Sequence, residues 1–382
     1  MLAALLLCTM LATAGYAQKP ATAPTTPSPR TDVRDVLTPD QWRQVNQAMD
    51  RALAWLVTQQ QANGAFRTTQ ISRDIGQPGV TSLVVLAFLS RGHLPGQGPY
   101  GQQINRAIEF VLSCQQDDGL IAVQNPMRIN NIWVNEAATY NHAISGLMLS
   151  EAYGMTTGKT DQRMRSVISA ALQFALQKQP QPKRHPDDQG GWRYTRMWQE
   201  SDSDVSVTSW YLMFLRSCRN AGFDVPSQPA DEALAFVKRS FDPNKHIFWY
   251  ALRGKEHVWT RAMVGAGILS LSLGGQHESQ MAQQAGNWLL QHPFDQYRVK
   301  VGSFDRFFYG AFYCSHAAFQ LGGKYWKEFY PVLCRTLVSN QRPDGSWDPE
   351  LRSDDMYGNA YSTAMAVLAL SPPYQLLPIF QR

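Results

Sequence analysis

The chain has 382 residues, of which 44% are hydrophobic, 11% aromatic and only 17% charged. That supplies a large core and excludes a disordered or fibrous protein. Lys and Arg number 35 against 30 Asp and Glu, and the +5 excess forms no long basic run, which argues against nucleic acid as a partner.

At about 150 residues per domain, the length alone suits two or three domains. Residues 1–17 (MLAALLLCTMLATAGYA) form an apolar run that ends in small residues. The run is too short to span a membrane and reads as a cleavable secretory signal, although no Lys or Arg precedes it. Residues 18–40 are rich in Pro and Thr and poor in large apolar residues, so they are expected to form an extended tether. The domain proper is expected over 41–382, in an exported protein, periplasmic or secreted. Cys114, Cys218, Cys314 and Cys334 follow the signal at wide spacings, as buried thiols or as one or two disulfides.

The mature chain repeats itself. Residues Ala52, Trp55, Leu56, Gln60, Gly64 and Phe66 set a frame that returns at Ala107, Phe110, Val111, Gln115, Gly119 and Ile121. A third copy runs through Ala171, Phe174 and Gln179, where an insertion (180–189) delays Gly190 and Trp192. Two decayed copies hold Ala233, Phe236, Val237 and Ala285, Trp288, Leu289, and the last restores Leu337, Gln341, Gly345 and Trp347. Each copy closes an amphipathic helix. A second helix, apolar nearly all round, follows over 80–91, 140–153, 206–221, 260–273, 309–321 and 359–370. One-sided helices lie outside and all-round apolar helices inside. The fold expected is therefore all-α: an (α/α)6 toroid of six inner and six outer helices.

The Gln-x3-Gly-x-aromatic frame resembles the QW repeat of squalene-hopene cyclases and related terpenoid cyclases, shared in weaker form with protein prenyltransferase β subunits. The resemblance spans about residues 44–370. It implies a toroid whose inner-helix N-termini surround the mouth of a central cavity. Gln60, Gly119 and Trp347 are expected to be structural staples, Gln satisfying open backbone groups and Gly permitting the turn.

The segments entering the inner helices carry the polar and aromatic candidates. As substrate-binding residues we take Glu136, Tyr140, His142, Trp210, Trp259, Arg261, Asp305, Phe308, Asp354, Asp355, Tyr357 and Tyr361. Capping and packing are the bland alternatives for each. Asp202-Ser203-Asp204-Val205-Ser206 resembles the DxDD acid motif of the cyclases, which implies Asp202 at its first position and Asp204 as the acid. Val205 replaces the final Asp. Two close carboxylates can raise one pKa, so Asp202 and Asp204 are the catalytic candidates. Aromatic faces could line a cavity and stabilise a cation.

No metal site or cofactor is expected: Cys314 and His316 are two apart on a helix and point apart, and no phosphate loop, hydrolase elbow or His-Glu-x-x-His pair occurs. The partner is either an apolar, isoprenoid-like small molecule or a protein bound by a non-enzymatic scaffold, with membrane-surface contact as a further option. A scaffold would have its cavity plugged by Trp and Tyr. A carbohydrate-active toroid is the third reading, with Glu136, Asp202, Asp305 and Asp354 as rim carboxylates at separations of roughly 5–10 Å.

Overall fold

The computed structural model describes residues 33–69, 74–302, 304–350 and 357–382, and its compact unit is Val33–Arg382. The signal expected over 1–17 and most of the tether lie outside the described residues. Residues 33–40, the last part of the expected tether, already make contacts with the helical body. Trp326 Nε1 donates to the Val33 carbonyl (2.9 Å) and Trp42 Nε1 to that of Arg34 (2.8 Å), and Thr38 caps the first helix through a reciprocal bond with Gln41. These contacts tie the chain to the toroid from Val33 onward.

Among the described residues, twelve α-helices follow in chain order. The outer ones are α1 (Pro39–Thr58), α3 (Gly101–Ser113), α5 (Gly158–Lys178), α7 (Ser227–Arg239), α9 (Gln280–Leu290) and α11 (Gly323–Ser339). The inner ones are α2 (Gln77–Leu89), α4 (Ile132–Ala152), α6 (Val205–Asn220), α8 (Arg261–Leu273), α10 (Phe307–Leu321) and α12 (Gly358–Leu370). Each inner helix packs on the next, and α12 returns to α2, so the ring closes. The fold is an all-α (α/α)6 toroid. Among the described residues, strand is confined to a two-residue antiparallel pair, β1 (Phe241–Asp242) with β2 (Ile247–Phe248).

The two layers follow from the residues. In α1 the buried positions Val45, Ala48, Met49, Ala52, Leu53 and Leu56 fall three or four apart, which places one stripe against the core. In α2 every residue is buried, so no polar face had to be kept. The four cysteines are buried free thiols, the first of the two alternatives.

The repeated glutamine is a clamp between neighbouring hairpins. Gln60 Nε2 donates to the carbonyl of Gly64 in its own turn (3.0 Å) and to that of Gln103 in α3 (2.8 Å). Gln115 does the same to Gly119 and Val167 of α5, Gln179 to Gly190 and Pro229 of α7, and Gln341 to Gly345 and Ala48 of α1. The last bond joins the two ends of the chain. The glycine is obligatory because the turn brings it onto the neighbouring helix: a Cβ on Gly64 would lie 2.2 Å from the Arg106 carbonyl oxygen, and one on Gly345 2.6 Å from that of Arg51. Both also have φ above +90°. The opposite end is sealed by the C-terminal segment, where Phe380 stacks on His316 and the Ile379 N–H donates to Glu151.

Candidate functional site

The inner helices begin around a cavity of about 480 Å³ that reaches down to Leu83, Ile144, Trp210, Met263 and Met365. This is the size of an ordinary small-molecule site. Ten of its 28 lining residues are aromatic: Trp133, Tyr140, Tyr194, Trp198, Trp210, Tyr250, Phe304, Tyr309, Tyr357 and Tyr361. The charged groups on it are Glu136, Lys255, Glu256 and Arg306.

Helix α4 supplies three of these, Trp133, Glu136 and Tyr140, the first two through its early start. Asn131 accepts the N–H groups of Trp133 (2.9 Å) and Val134 (3.3 Å), which starts the helix eight residues before the expected 140. Glu136 and Tyr140 then stand one turn apart on one face, both toward the cavity. The Glu136 carboxyl has no protein hydrogen-bond donor, and burial raises its pKa against the pull of Arg306. Of the twelve expected binding residues, Glu136, Tyr140, Trp210, Tyr357 and Tyr361 are on the wall.

Five others are elsewhere, each for a visible reason. His142 is fully buried and joins two segments: its Nδ1 accepts the Ile121 N–H (3.1 Å) and its Nε2 donates to the Ala171 carbonyl (3.1 Å). Thr81, Thr208 and Thr363 do the first of these jobs in other repeats, for Phe66, Trp192 and Trp347. Burial pushes the His142 pKa down to about 4, so the ring is neutral. Arg261 and Asp305 are paired with each other through Nε (2.9 Å) and Nη2 (2.6 Å), and the same guanidinium holds the carbonyls of Pro293 and Val299. Phe308 is fully buried among Phe307 and Tyr297. Trp259 packs edge-on against Trp288 of α9. Asp354 and Asp355 lie outside the described residues.

The expected acid pair is divided. Asp202 turns away from the main cavity and receives a forked bond from Arg184, with Nη2 at 2.6 Å and Nε at 3.0 Å, as well as the Arg184 N–H at 2.7 Å. Burial works against its charge, but these bonds prevail and hold the carboxyl below the usual range. Asp204 caps α6, its Oδ1 accepting the Val207 N–H at 2.7 Å. Its Oδ2 has no hydrogen-bond partner and lies 4.0 Å from Arg193 Nε. Burial lifts this carboxyl to about 7, against the opposing pull of Arg193 and the Val207 N–H.

Arg193 is itself buried. Its Nη2 reaches Glu256, while Nε and Nη1 lack hydrogen-bond partners, and its guanidinium lies over the rings of Tyr194 and Tyr250. Asp204 and Arg193 thus stand just behind the wall, linked through Arg193 to Glu256 on the wall itself. A second chain of contacts runs along the wall: Tyr140 Oη to Ser206 Oγ (2.8 Å), Ser206 Oγ to Tyr309 Oη (2.6 Å), and Trp210 Nε1 to Tyr309 Oη (2.8 Å).

The sequence reading missed Tyr194, Trp198, Tyr250 and Arg193. All four sit in the long connections before α6 and α8, and only residues nearest the helix starts had been singled out. The insertion that displaces Gly190 and Trp192 was the available signal, because extra chain beside a cavity mouth must line it or cover it.

No family model matches the chain, and no curated protein does. Several solved structures do. The α-1,6-mannanase GH76A of Salegentibacter sp. HEL1_6, an inactive variant in complex with α-1,6-mannotriose, gives a TM-score of 0.59 at 12% identity, over 86% of this chain and 99% of that one. A type II terpene cyclase from Scytonema in complex with geranylgeranyl dihydroxybenzoate gives 0.58 at 15% identity, over 89% and 100%. A family 76 glycoside hydrolase from a bovine Bacteroides thetaiotaomicron strain gives 0.58 at 11%, over 86% and 77%. At such identities the likeness is one of fold, the α/α toroid, which serves more than one chemistry.

Proposed function

We propose that this toroid binds an apolar, isoprenoid-like ligand in its central cavity and acts on it by acid-initiated chemistry. The observation that carries the reading is the aromatic cavity at the inner-helix N-termini, with a near-neutral carboxylic acid, Asp204, behind its wall. Ring faces suit an apolar chain and a developing cation. A carboxylic acid of pKa about 7 is matched to general-acid protonation of an oxygen near neutral pH. The open cavity argues against the scaffold reading, which expects it plugged. Export, from the reading of residues 1–17, belongs to the same proposal.

Native mass spectrometry of the protein with geranylgeraniol tests the binding. A one-to-one complex is expected, and Met263→Trp, which fills part of the cavity, should weaken it at least about tenfold with a native circular-dichroism spectrum retained. A second reading rests on Glu136 and Glu256, both on the wall: two carboxylates are what glycoside hydrolysis uses. Binding of mannotriose with none of the isoprenoid alcohol would establish that reading and sink the first.

Seven of the eight exposed large hydrophobic side chains among the described residues lie in the connections at the cavity mouth or where α4 starts: Val123, Met127, Ile129, Trp133, Met197, Val299 and Phe304. Exposed Arg128 and Lys255 stand among them. An apolar rim with basic residues fits an anionic lipid surface, from which an apolar ligand would enter. Among the described residues no helix is long and apolar enough to cross a membrane. Co-sedimentation with phosphatidylglycerol vesicles is expected, falling in high salt and in the double variant Met127→Glu/Met197→Glu. Equal sedimentation of that variant would exclude the rim as the contact.

A further inference from the structure

We infer that the ligand of this cavity carries a hydrogen-bond-accepting oxygen, a hydroxyl, carbonyl or ether, seated against the Tyr140–Ser206 pair. The inference rests on the reading of the cavity as an apolar ligand site and adds to it a count of protons along its wall. Trp210, Tyr309, Ser206 and Tyr140 form one chain with three hydrogen bonds. The indole N–H can only donate, and each of the three hydroxyls also carries one proton. Four protons serve three bonds, so one hydroxyl proton is left without an acceptor. The neighbouring Tyr313 hydroxyl, itself without a hydrogen bond by geometry, would add one proton and at most one bond, which leaves the surplus unchanged.

The direction of the chain places that proton. Trp210 Nε1 occupies the accepting side of the Tyr309 oxygen, whose other lone pair is delocalised into the ring, so Tyr309 donates to Ser206. Ser206 then either donates to Tyr140 or accepts from it as well, so the unused proton lies on Tyr140 Oη or Ser206 Oγ, both on the cavity wall and 2.8 Å apart. Burial holds the Tyr140 phenol well above its usual pKa, so the proton stays in place over the working range.

Nearby acceptors do not take this proton. Glu136 is on the same wall but forms no hydrogen bond with Tyr140, and the bare Asp204 Oδ2 forms none with any member of the chain. The Tyr194 and Tyr250 hydroxyls, 3.3 Å apart on the same wall, repeat the pattern with two protons and one bond. A wall with surplus donors selects a ligand that brings an acceptor, because a buried donor left unpaired is costly.

The test compares one isoprenoid alcohol, geranylgeraniol, with the hydrocarbon of the same chain that lacks the hydroxyl, by titration against tryptophan fluorescence. The wild type is expected to bind the alcohol more tightly by at least about tenfold. The double variant Tyr140→Phe/Ser206→Ala, which removes both hydroxyls able to present the proton, should lose most of that gap, with a native circular-dichroism spectrum showing it to be folded. Equal affinities in the wild type, or a gap that survives Tyr140→Phe/Ser206→Ala, would overturn the inference while leaving the apolar site intact. Binding of neither ligand would overturn the cavity reading and the inference together.

Discussion

Arg261→Ala is expected to destabilise the protein by about 3–5 kcal/mol, the usual effect of removing one partner from a buried ion pair. The side chain is 2% exposed and makes two bonds to Asp305 and one each to the carbonyls of Pro293 and Val299. Its guanidinium also lies 3.8 Å from the centre of the Phe294 ring. Truncation leaves a buried carboxylate without its counter-charge, held only by the N–H groups of residue 261 and Val301, and takes the guanidinium donor from two carbonyls. Asp305→Ala should be similarly harmful, since it strands the guanidinium and the Arg261 N–H. The double variant should lose much less than the two singles together. Urea denaturation of the four proteins measures this cycle, and strict additivity would show that the pair is not the latch between α8 and the segment leading to α10.

Asp204→Asn separates a stabilising role from a chemical one. Its folded-state pKa is raised from 3.8 to about 7. The folded protein therefore holds the proton more tightly than the unfolded chain does. The contribution to stability is full below about pH 4 and is lost as pH rises toward 7, by roughly 4 kcal/mol in all. Asn stays neutral and can keep the Val207 cap, so the variant should overtake the wild type as pH rises from 4 to 8. Denaturation of both proteins at the two pH values reads the difference directly, and a constant difference would mean that Asp204 is ionised throughout. Comparison with the wild type is essential because Glu151, raised to about 7, adds a slope of the same sign. His142 and His316, lowered to about 4 and about 3, oppose it, since their neutral burial destabilises the fold below the ordinary histidine range. Turnover of a bound isoprenoid should disappear in the same variant, and unchanged turnover would remove Asp204 from the chemistry.

The architecture was legible because it rests on periodicity. Five of the six inner helices begin within three residues of their expected starts. The exception, α4, began early because one Asn side chain caps two backbone N–H groups, a signal that apolar spacing does not carry. The staples were legible for a similar reason. A Gln-x3-Gly spacing lets the side chain reach back across its own turn, though nothing local indicated that the second bond of Gln341 would close the ring onto Ala48.

The site was legible only as a region. The segments entering the inner helices do surround the cavity, and Glu136, Tyr140, Trp210, Tyr357 and Tyr361 line it. Which polar residues remain available there was decided by partners distant in sequence. Arg184 takes Asp202, Arg261 takes Asp305, and the backbone of two repeats takes His142. A charged side chain in a poorly polar interior binds whichever opposite charge the fold brings near, and a one-dimensional spacing contains no such distance.

The sequence by itself determined the number of hairpins, the order of layers and the single closed domain in place of the two or three that length suggested. Repeated apolar spacing is a local property, and stacking six copies of it leaves one way to bury every face. Only the tertiary structure decided that Asp202 and Asp204 part company, that Arg193 stands behind the wall, and that the hydroxyls of Tyr140, Ser206 and Tyr309 meet the Trp210 indole in one chain. Those outcomes depend on distances between helices far apart in the chain, which are set when the ring closes.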